Sequence, residues 1–456
     1  MAATAAQLTR RTAISALAAA GAGFIVFGPR GREHVPTGRL VLDYWEKWTQ
    51  HEGRAMQAVV DEFNASQSRL FVRYLVTGTI HQKALIAIAG GNPPDIIGMY
   101  NYNVPAYADA AAVLPLGDLA PRHGLRLDHY APGVRQVMQH RGRWWATVNT
   151  AGTLALYYNK RLFSEAGLNP EQPPRTIQEL DAAHAALTRV TAGEVQRAGF
   201  LHMEPGWWSW IWGYHFGDTL YDEATDRSLA ANPTNIRAYD WMQSYPRHLG
   251  VDAVERFRSG LGPYGQANWG FLTGELAMVV QGPWMASQVN QFAPDLDYGV
   301  APFPVDESIY EGAAPPPTAL IDTDVLMIPR GAKNPEASME FIAYTQQPRI
   351  AERLATAHCK GSPMLDVSES FLAAHPNRGV RLHTELFSSP RAFICPPTGA
   401  WPELKDIFDT AMSDLWKLRE PAAQRLAAVQ SASQAVLDRA ARTRQLRGES
   451  TGLNRT

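Results

Sequence analysis

The sequence predicts an α/β protein, and two features of its 456 residues support that prediction. Short apolar segments typical of strands alternate with segments of helical periodicity between residues 39 and 99. Strand–helix–strand alternation produces right-handed crossovers and a parallel sheet. The pattern begins again at about Gly142, which indicates a second unit of the same class. With 45% apolar and 19% charged residues, the chain can also bury a sizeable core.

The first unit is predicted to contain three strands and two helices. The strands cover 39–45, 70–76 and 95–99, and the helices cover 53–63 and 81–89. Ligands of parallel sheets bind in the loops that follow the carboxyl ends of the strands. Here those loops are 45–48 and 100–103, and both are aromatic and polar, so we expect them to contribute to a binding site.

The second unit is predicted to begin with a strand at 153–158 and a short helix at 161–166. Thr176 followed by Glu179 matches a capping box, which predicts the start of a longer helix. A helix-rich region then extends to about 284. The remaining expected elements are an edge-like strand at 298–302, a strand at 325–328, and helices at 335–344 and 421–442.

The N-terminal segment predicts export. Arg10 and Arg11 precede an uncharged stretch that runs to Pro29, and paired arginines before such a stretch favour the twin-arginine route. The small residues at 20–22 suit a cleavage site. The apolar run at 24–27 is also compatible with an uncleaved membrane anchor, so both alternatives remain. No other stretch approaches the ~18 apolar residues of a membrane span. We therefore expect a periplasmic or extracellular protein.

Composition and motif searches exclude several classes of function. The 42 basic and 44 acidic side chains give a formal charge of −2, which argues against a nucleic-acid-binding protein. The G-x-G-x-x-G at 260–265 follows a helical segment rather than a strand, so it does not predict a dinucleotide site. The 13 histidines show no metal-ligand spacing. We expect no catalytic residue, no metal and no cofactor. The sequence is equally compatible with a disulfide between Cys359 and Cys395 and with two free thiols.

A cluster of tryptophans is the strongest functional signal in the sequence. Four of the chain's 13 Trp lie between residues 207 and 212, shortly after Glu204. Buried indole N–H groups need partners, so core packing rarely favours such a cluster. A sugar ring offers an apolar face for stacking and hydroxyl groups for Glu204, Asn101 or Asn103. The cluster therefore predicts carbohydrate binding, with a Trp-rich core as the alternative.

Five segments, in order along the chain, are similar to those of a known family. They are AIAGGNPPDII at 87–97, YYNK with LF and AGL at 157–168, PPRT at 173–176, FLTGELAM with GPW at 271–284, and NPEA at 334–337. Through these segments the chain resembles the extracellular solute-binding proteins of carbohydrate ABC transporters, the group that includes maltose-binding protein. The resemblance covers nearly everything from residue 40 to residue 440.

The resemblance implies a two-lobed periplasmic-binding-protein fold of type II. Each lobe would be a mixed sheet flanked by helices, with the ligand cleft between the lobes. The expected boundaries are an export signal and linker at 1–37, a first lobe at 38–148 plus about 298–345, a second lobe at 149–297 plus about 346–440, and a basic tail at 441–456.

The resemblance also implies a set of ligand-binding residues, carried over position by position. They are Trp45, Glu46, Lys47, Tyr100, Asn101, Asn103, Glu204, Trp207, Trp208, Trp284 and Trp401. Two positions depart from the family pattern. Gly152 stands where the family carries an acid, and Ile321-Asp322-Thr323-Asp324 replaces a glycine-rich stretch. These departures argue against maltodextrin as the ligand.

The function implied is that of an exported receptor. A monomer would capture a small carbohydrate, close its lobes around it and deliver it to the membrane permease of an ABC transporter. Two alternatives remain at this stage. One is a secreted carbohydrate hydrolase that uses a carboxylate pair such as Glu204 and Asp218. The other is a binding protein for a non-sugar solute such as a polyamine, iron or an organophosphate.

Overall fold

The computed structural model describes residues 36–310 and 313–446. The twin arginines, the cleavage site and the alternative anchor lie outside the described residues, as does the expected basic tail from 447 onward. Residues 441–446, the start of that tail, continue the last helix. Within the described ranges, no helix is both long enough and apolar enough to cross a membrane.

The strands of the described ranges are short, and most contribute to two sheets. They are β1 (Leu40–Glu46), β2 (Leu70–Val76), β3 (Ile96–Tyr100), β4 (Gln139–His140), β5 (Arg143–Trp144), β6 (Thr147–Thr153), β7 (Ala155–Asn159), β8 (Arg189–Thr191), β9 (Glu194–Arg197), β10 (Tyr221–Asp222), β11 (Arg227–Ser228), β12 (Met278–Gln281), β13 (Tyr298–Ala301), β14 (Ala319–Met327) and β15 (Ala392–Phe393).

Helices cover both sheets and connect their strands. The α-helices are Gln50–Ser66, Ile80–Ala89, Val104–Asp109, Pro132–Met138, Lys160–Glu165, Ile177–Leu187, Trp212–His215, Pro233–Leu249, Val251–Gly260, Gly270–Thr273, Met285–Phe292, Pro335–Thr345, Pro348–Ala357, Glu369–Ala374, Val380–Leu386, Trp401–Trp416 and Ala422–Leu446. Short 3-10 turns lie at Asn101–Asn103, Pro121–His123, Leu127–His129 and Glu307–Ile309. As the capping box predicts, the Thr176 side chain accepts a hydrogen bond from Glu179 N at the start of its helix.

The larger sheet is mixed. β1 pairs in parallel with β2 and β3, and β14 pairs antiparallel with β3 and β6. Alternate residues of β1 point into the core, because Leu42, Tyr44 and Glu46 are buried while the intervening residues are half-buried. The parallel part confirms the crossovers predicted from the strand–helix alternation. The antiparallel β14 is contributed by a segment more than 200 residues away in the chain.

The smaller sheet has the order β12-β7-β13, and both pairings are antiparallel. Every residue of β7 is buried, as expected for a central strand. β13 pairs with β7 alone, which confirms the edge strand predicted at 298–302. The sequence boundary near 298 groups this strand with the first lobe, whereas its backbone hydrogen bonds join it to the second sheet. Periodicity identifies a strand but not its partner.

Two hydrophobic cores define two lobes. The first lobe contains the larger sheet, and its core includes Tyr44, Ile97 and Phe341. The second lobe contains the smaller sheet, and its core includes Tyr157 and Trp401. The chain passes between the cores near 151–154, 320–321 and 387–395. The helix Pro348–Ala357 packs its apolar face into the first core, although the sequence boundary near 346 groups it with the second lobe.

The end of the last helix contacts both lobes. Arg444 forms an ion pair with Asp226 of the β10–β11 hairpin in the second lobe. The other guanidinium nitrogen of Arg444 lies 3.6 Å from Asp109, at the end of a first-lobe helix. A Cβ added at Gly399 would lie 2.6 Å from the Asp109 carboxylate, so the second lobe packs closely on this residue. Both cysteines, Cys359 and Cys395, are buried and free.

Candidate ligand-binding site

The floor of the candidate site is one face of three neighbouring strands. On β14, Asp322 lies opposite Gly152 of β6, and Asp324 lies opposite Thr150 of β6 and Tyr100 of β3. Side chains of directly opposed residues leave the same face of an antiparallel pair. The five residues therefore form one polar strip, and this strip lies where the chain crosses between the lobes.

Asp324 is the centre of a buried ion-pair network on this floor. Its carboxylate lies 2.9 Å from Lys47 Nζ and 2.8 Å from Lys360 Nζ. The Thr150 hydroxyl donates a third hydrogen bond at 2.7 Å. Although burial favours the neutral acid, the ammonium groups of Lys360 and Lys47 hold the pKa of Asp324 well below its usual range. The lysines are consequently fixed in position rather than free in solvent.

Glu46 supports Lys47 from below and is completely buried. Its carboxylate accepts hydrogen bonds from the Tyr44 hydroxyl and from Lys47 N, and it lies 3.3 Å from Lys47 Nζ. A Cβ added at Gly98 would lie 1.9 Å from Glu46 Oε2, so only glycine fits beside the carboxylate. The family resemblance implies that Glu46 binds the ligand. The structure corrects this, because Glu46 positions Lys47 and has no exposed atom to offer.

Lys360 connects the floor to the second lobe. Its ammonium lies 2.9 Å from Glu52 and 5.9 Å from the centre of the Trp284 ring. The neighbouring His358 packs edge-on against Trp48, with ring centres 4.5 Å apart. Burial lowers the pKa of His358 to about 4, so this imidazole adds no positive charge at neutral pH.

Aromatic rings of the second lobe form one wall of the cleft. The Trp284 indole N–H donates to Gln281 Oε1 at 2.9 Å, which fixes the orientation of the ring. The Trp208 ring centre lies 5.9 Å from Trp284, and Trp207 lies 5.4 Å beyond Trp208. Tyr264 continues the series 4.9 Å from Trp207. Trp207 is 43% exposed, so this row of rings presents apolar surface to a ligand.

A tyrosine pair on the first lobe forms a second aromatic wall. The rings of Tyr100 and Tyr102 are nearly parallel, with centres 5.4 Å apart, and Tyr100 is 44% exposed. Lys47 Nζ lies 4.7 Å from the Tyr100 ring. Asn101 and Asn103 are buried beneath this pair. Their side chains bond Thr323 N and the Tyr100 carbonyl, so they shape the turn that carries the tyrosines.

Of the remaining expected residues, Glu204 lines a small cavity together with Trp207 and Trp208, whereas Trp45 and Trp401 pack against the cores. Trp45 is half-buried and packs against the first core. Glu204 lies 3.7 Å from Arg258, and burial raises its pKa. Trp401 is only 1% exposed, and its ring packs edge-on against the equally buried Trp210. The structure corrects the expectation that Trp401 is a platform, because neither face of its ring is open.

Several residues of the site were not named as ligand-binding by the sequence analysis. Asp322 and Asp324 were signalled by the departure from a glycine-rich stretch. Lys360 and Glu52 belong to no local motif, and Tyr264 lies in the G-x-G-x-x-G at 260–265, which predicts no dinucleotide site. Only the fold brings these three residues to the cleft. Within 36–310 and 313–446, no group of three His, Cys, Asp or Glu side chains is placed to hold a metal ion.

Two lobes, each with an aromatic wall, and a polar floor where the chain crosses between them are the arrangement expected of a protein that binds a small solute. The family model described as bacterial extracellular solute-binding protein matches residues 47–352. The chain belongs to this family. Family membership agrees with the expected periplasmic or extracellular location.

Known relatives and solved structures are similar over most of the chain. The maltotriose-binding protein of Pyrococcus abyssi is 21% identical over 320 residues, which cover 70% of this chain and 65% of that protein. The sn-glycerol-3-phosphate-binding periplasmic protein UgpB of Pectobacterium atrosepticum is 23% identical over 427 residues, 87% of this chain and 91% of that protein.

Among solved structures, CpMnBP1 with mannobiose bound superposes with a TM-score of 0.74 at 24% identity and covers 86% of this chain and 99% of that chain. UgpB of Mycobacterium tuberculosis, in complex with glycerophosphocholine, superposes with a TM-score of 0.67 at 21% identity. The superposition covers 88% of this chain and 99% of that chain. These similarities confirm the two-lobed periplasmic-binding-protein fold.

Proposed function

We propose that this protein is the exported substrate-binding receptor of an ABC importer and that its cargo is a carbohydrate or a carbohydrate derivative. One observation carries the proposal: aromatic rings from both lobes face a hydrogen-bonding floor. Sugar rings stack their apolar faces on aromatic side chains, and their hydroxyls bond carboxylates and ammonium groups. The relative named for maltotriose and the similar structure solved with mannobiose bound support the same ligand class.

The residues proposed to contact the ligand are a subset of those expected from sequence, extended by the structure. Trp284, Trp208 and Trp207 supply stacking surfaces from the second lobe, and Tyr100 with Tyr102 supplies them from the first. Lys47 and Lys360 direct their ammonium groups toward the cleft floor. Closure of the lobes around the sugar would then create the surface that a membrane permease recognises.

The proposed function needs no catalytic residue. A hydrolase would need a free carboxylate pair on either side of the scissile bond. Here Glu204 lies beside Arg258, and Asp218 accepts a hydrogen bond from the amide of Thr219. Long incubation with labelled oligosaccharides, followed by product analysis, tests this directly. Cleavage products that disappear in a Glu204→Gln variant would replace the receptor proposal with a hydrolase.

An amine is the second candidate ligand, because an acid-rich aromatic cleft also suits cations. The cleft supplies three carboxylates, those of Glu52, Asp322 and Asp324, against two lysines. Isothermal titration with spermidine and with mannotriose separates the two ligand classes. Binding of spermidine alone would favour a polyamine receptor.

We further propose export by the twin-arginine route. A variant with Arg10→Lys and Arg11→Lys should leave folded protein in the cytoplasm, whereas the wild-type chain should appear in the periplasmic fraction. An unchanged periplasmic yield would contradict this route and leave the receptor proposal intact.

The decisive experiment is native mass spectrometry of the protein purified from its own host. We expect a co-purified ligand whose mass corresponds to a mono- or oligosaccharide or a derivative. Titration of the stripped protein with that compound should then give saturable binding to a monomer. A bound mass that corresponds to a peptide or a metal would contradict the proposed carbohydrate class.

A further inference from the structure

Asp322 differs from the other charged residues of the cleft floor because it has no cation of its own. Within the described part of the chain, both lysines of the floor pair with Asp324, and no salt bridge reaches Asp322. Residues two apart on a strand share a face, so both carboxylates point to the cleft. Because Lys47 and Lys360 form their ion pairs with Asp324, the Asp322 carboxylate remains available to a ligand.

Asp322 also lies beside the main stacking surface. It is directly opposite Gly152, and a Cβ added at Gly152 would lie 3.1 Å from the Trp284 ring. Because opposed residues share a face, the carboxylate leaves the sheet next to this indole. A sugar stacked on Trp284 would place its hydroxyl edge within reach of Asp322.

The groups that face Asp322 come from several segments. Asp324 lies on the same strand, Lys47 follows β1, Lys360 follows the helix Pro348–Ala357, and Tyr100, Tyr102 and Cys395 complete the set. Burial, and after it the charge of Asp324, raises the pKa of Asp322 to about 6. The carboxylate is therefore ionised at pH 7 and above.

The charge balance of the floor disfavours an anion. Glu52, Asp322 and Asp324 carry three carboxylates against the two ammonium groups of Lys47 and Lys360, a formal charge of −1, and the fully buried Glu46 adds a further carboxyl group beside Lys47. Both ammonium groups are already bonded to carboxylates. A phosphate placed beside Trp284 would meet Asp322 at short range without a free cation to compensate.

We propose that Asp322 is the specificity-determining residue of this site: its carboxylate accepts hydrogen bonds from hydroxyls of an uncharged sugar and repels phosphate esters. The inference rests on the proposed carbohydrate receptor function and narrows its ligand class. The inference gives this chain a different ligand class from the relatives that are named for glycerol phosphate. Those relatives are about as similar in sequence to this chain as the maltotriose-binding protein is.

Calorimetry at pH 7.5 tests the inference with four probes: mannotriose, maltotriose, glycerol 3-phosphate and glucose 6-phosphate. We expect the wild-type protein to bind a neutral trisaccharide and neither phosphate ester. Asp322→Asn should weaken trisaccharide binding by about 10- to 100-fold, since hydrogen bonds to a charged acceptor are lost. Asp322→Arg should bind glycerol 3-phosphate, because it places a cation beside the stacking surface. Asp295→Asn, which alters an exposed carboxylate before β13, is the matched control.

Two results would overturn the inference. One is wild-type binding of either phosphate ester within tenfold of the best neutral saccharide. The other is trisaccharide binding by Asp322→Asn that equals the wild type. If the wild type binds neither trisaccharide, the carbohydrate proposal is contradicted for these probes. The titrations with glycerol 3-phosphate still test the role of Asp322 in that case. Binding of glycerol 3-phosphate by Asp322→Arg would support the exclusion of phosphate esters by Asp322, and the absence of binding would contradict it.

Discussion

Trp284 illustrates how single residues set the geometry of the cleft. Its indole N–H is held by Gln281, and its ring occupies space that exists only because Gly152 and Gly282 lack side chains. A Cβ added at Gly282 would lie 2.3 Å from the ring. The ring is therefore oriented before any ligand arrives, which reduces the ordering required on binding.

Trp284→Ala should weaken binding of the co-purified ligand by about 10- to 100-fold, because one stacking surface is lost. Trp401→Phe is the matched control. That ring lies in the second core, so its replacement should lower the free energy of unfolding by about 1–3 kcal/mol and leave affinity unchanged. Calorimetry and urea denaturation of both variants check the two expectations. Unaltered affinity in Trp284→Ala, or lost affinity in folded Trp401→Phe, would contradict the assignment.

Asp322→Asn should stabilise the protein in a pH-dependent way. Its pKa of about 6 lies above the ordinary carboxyl value, so between about pH 4 and pH 6 the folded state binds more protons than the unfolded state. Stability contributed by this group is therefore lost as the pH rises through 6. The variant should exceed the wild type by about 1–2 kcal/mol at pH 7.5 and match it near pH 4. Equal melting temperatures at both pH values would contradict the shift.

The residues that sequence reasoning misjudged share a physical cause. Glu46 and Trp401 have the right chemistry for a sugar site, but whether such a side chain faces the cleft or the core depends on packing. Lys360 and Glu52 were missed because an ion pair between residues 308 positions apart leaves no local pattern. The tryptophan cluster divides in the same way, since Trp207 and Trp208 face the cleft while Trp210 and Trp212 are buried.

Among the structural elements, β14 has the largest influence on the site. Leu320 belongs to the second core, whereas Ile321 and the residues from Val325 to Met327 belong to the first core. A single strand therefore carries the chain between the lobes and supplies part of the cleft floor. The strand predicted at 325–328 covers only the last three residues of β14, since the polar residues at 322–324 interrupt the apolar run. By contrast, β2 at 70–76 is predicted with its observed bounds, because its strand is short, apolar and flanked by helices.

Asp324→Asn should destabilise this strand crossing by about 3–5 kcal/mol, because it leaves two buried ammonium groups without their shared carboxylate. At pH 7.5 this change in the free energy of unfolding is opposite in sign to the change expected for Asp322→Asn, although the two residues are only two positions apart. Urea denaturation of the two variants, side by side, measures the difference. Similar stabilities would show that Asp324 is not the centre of the network.

At the scale of the whole molecule, the site is divided between lobes. Tyr100 and Tyr102 belong to the first lobe, and Trp208 and Trp284 belong to the second. A ligand that contacts both walls binds the closed arrangement more tightly, and only that difference in affinity can shift the population. Three crossings between the cores permit bending of the lobes but resist sliding.

Saturating ligand should therefore reduce the radius of gyration and change the tryptophan fluorescence with the same midpoint. Small-angle scattering and fluorescence titration measure the two effects. Trp284→Ala serves as the control, since it should shift both midpoints to higher ligand concentration together. Identical dimensions with and without saturating ligand would contradict closure and leave a rigid, preformed site.

The contact of Arg444 with both lobes has a consequence for energy use in the proposed importer. Because Arg444 is tied to Asp226 on one side and lies 3.6 Å from Asp109 on the other, any change in the angle between the lobes changes that separation. The pair thus contributes to how often an empty receptor adopts the closed shape. An empty closed receptor that engages the permease would trigger ATP hydrolysis without cargo. The contact between Arg444 and Asp109, which joins residues 335 positions apart in sequence, is therefore one of the contacts that would set the idle ATP consumption of the proposed importer.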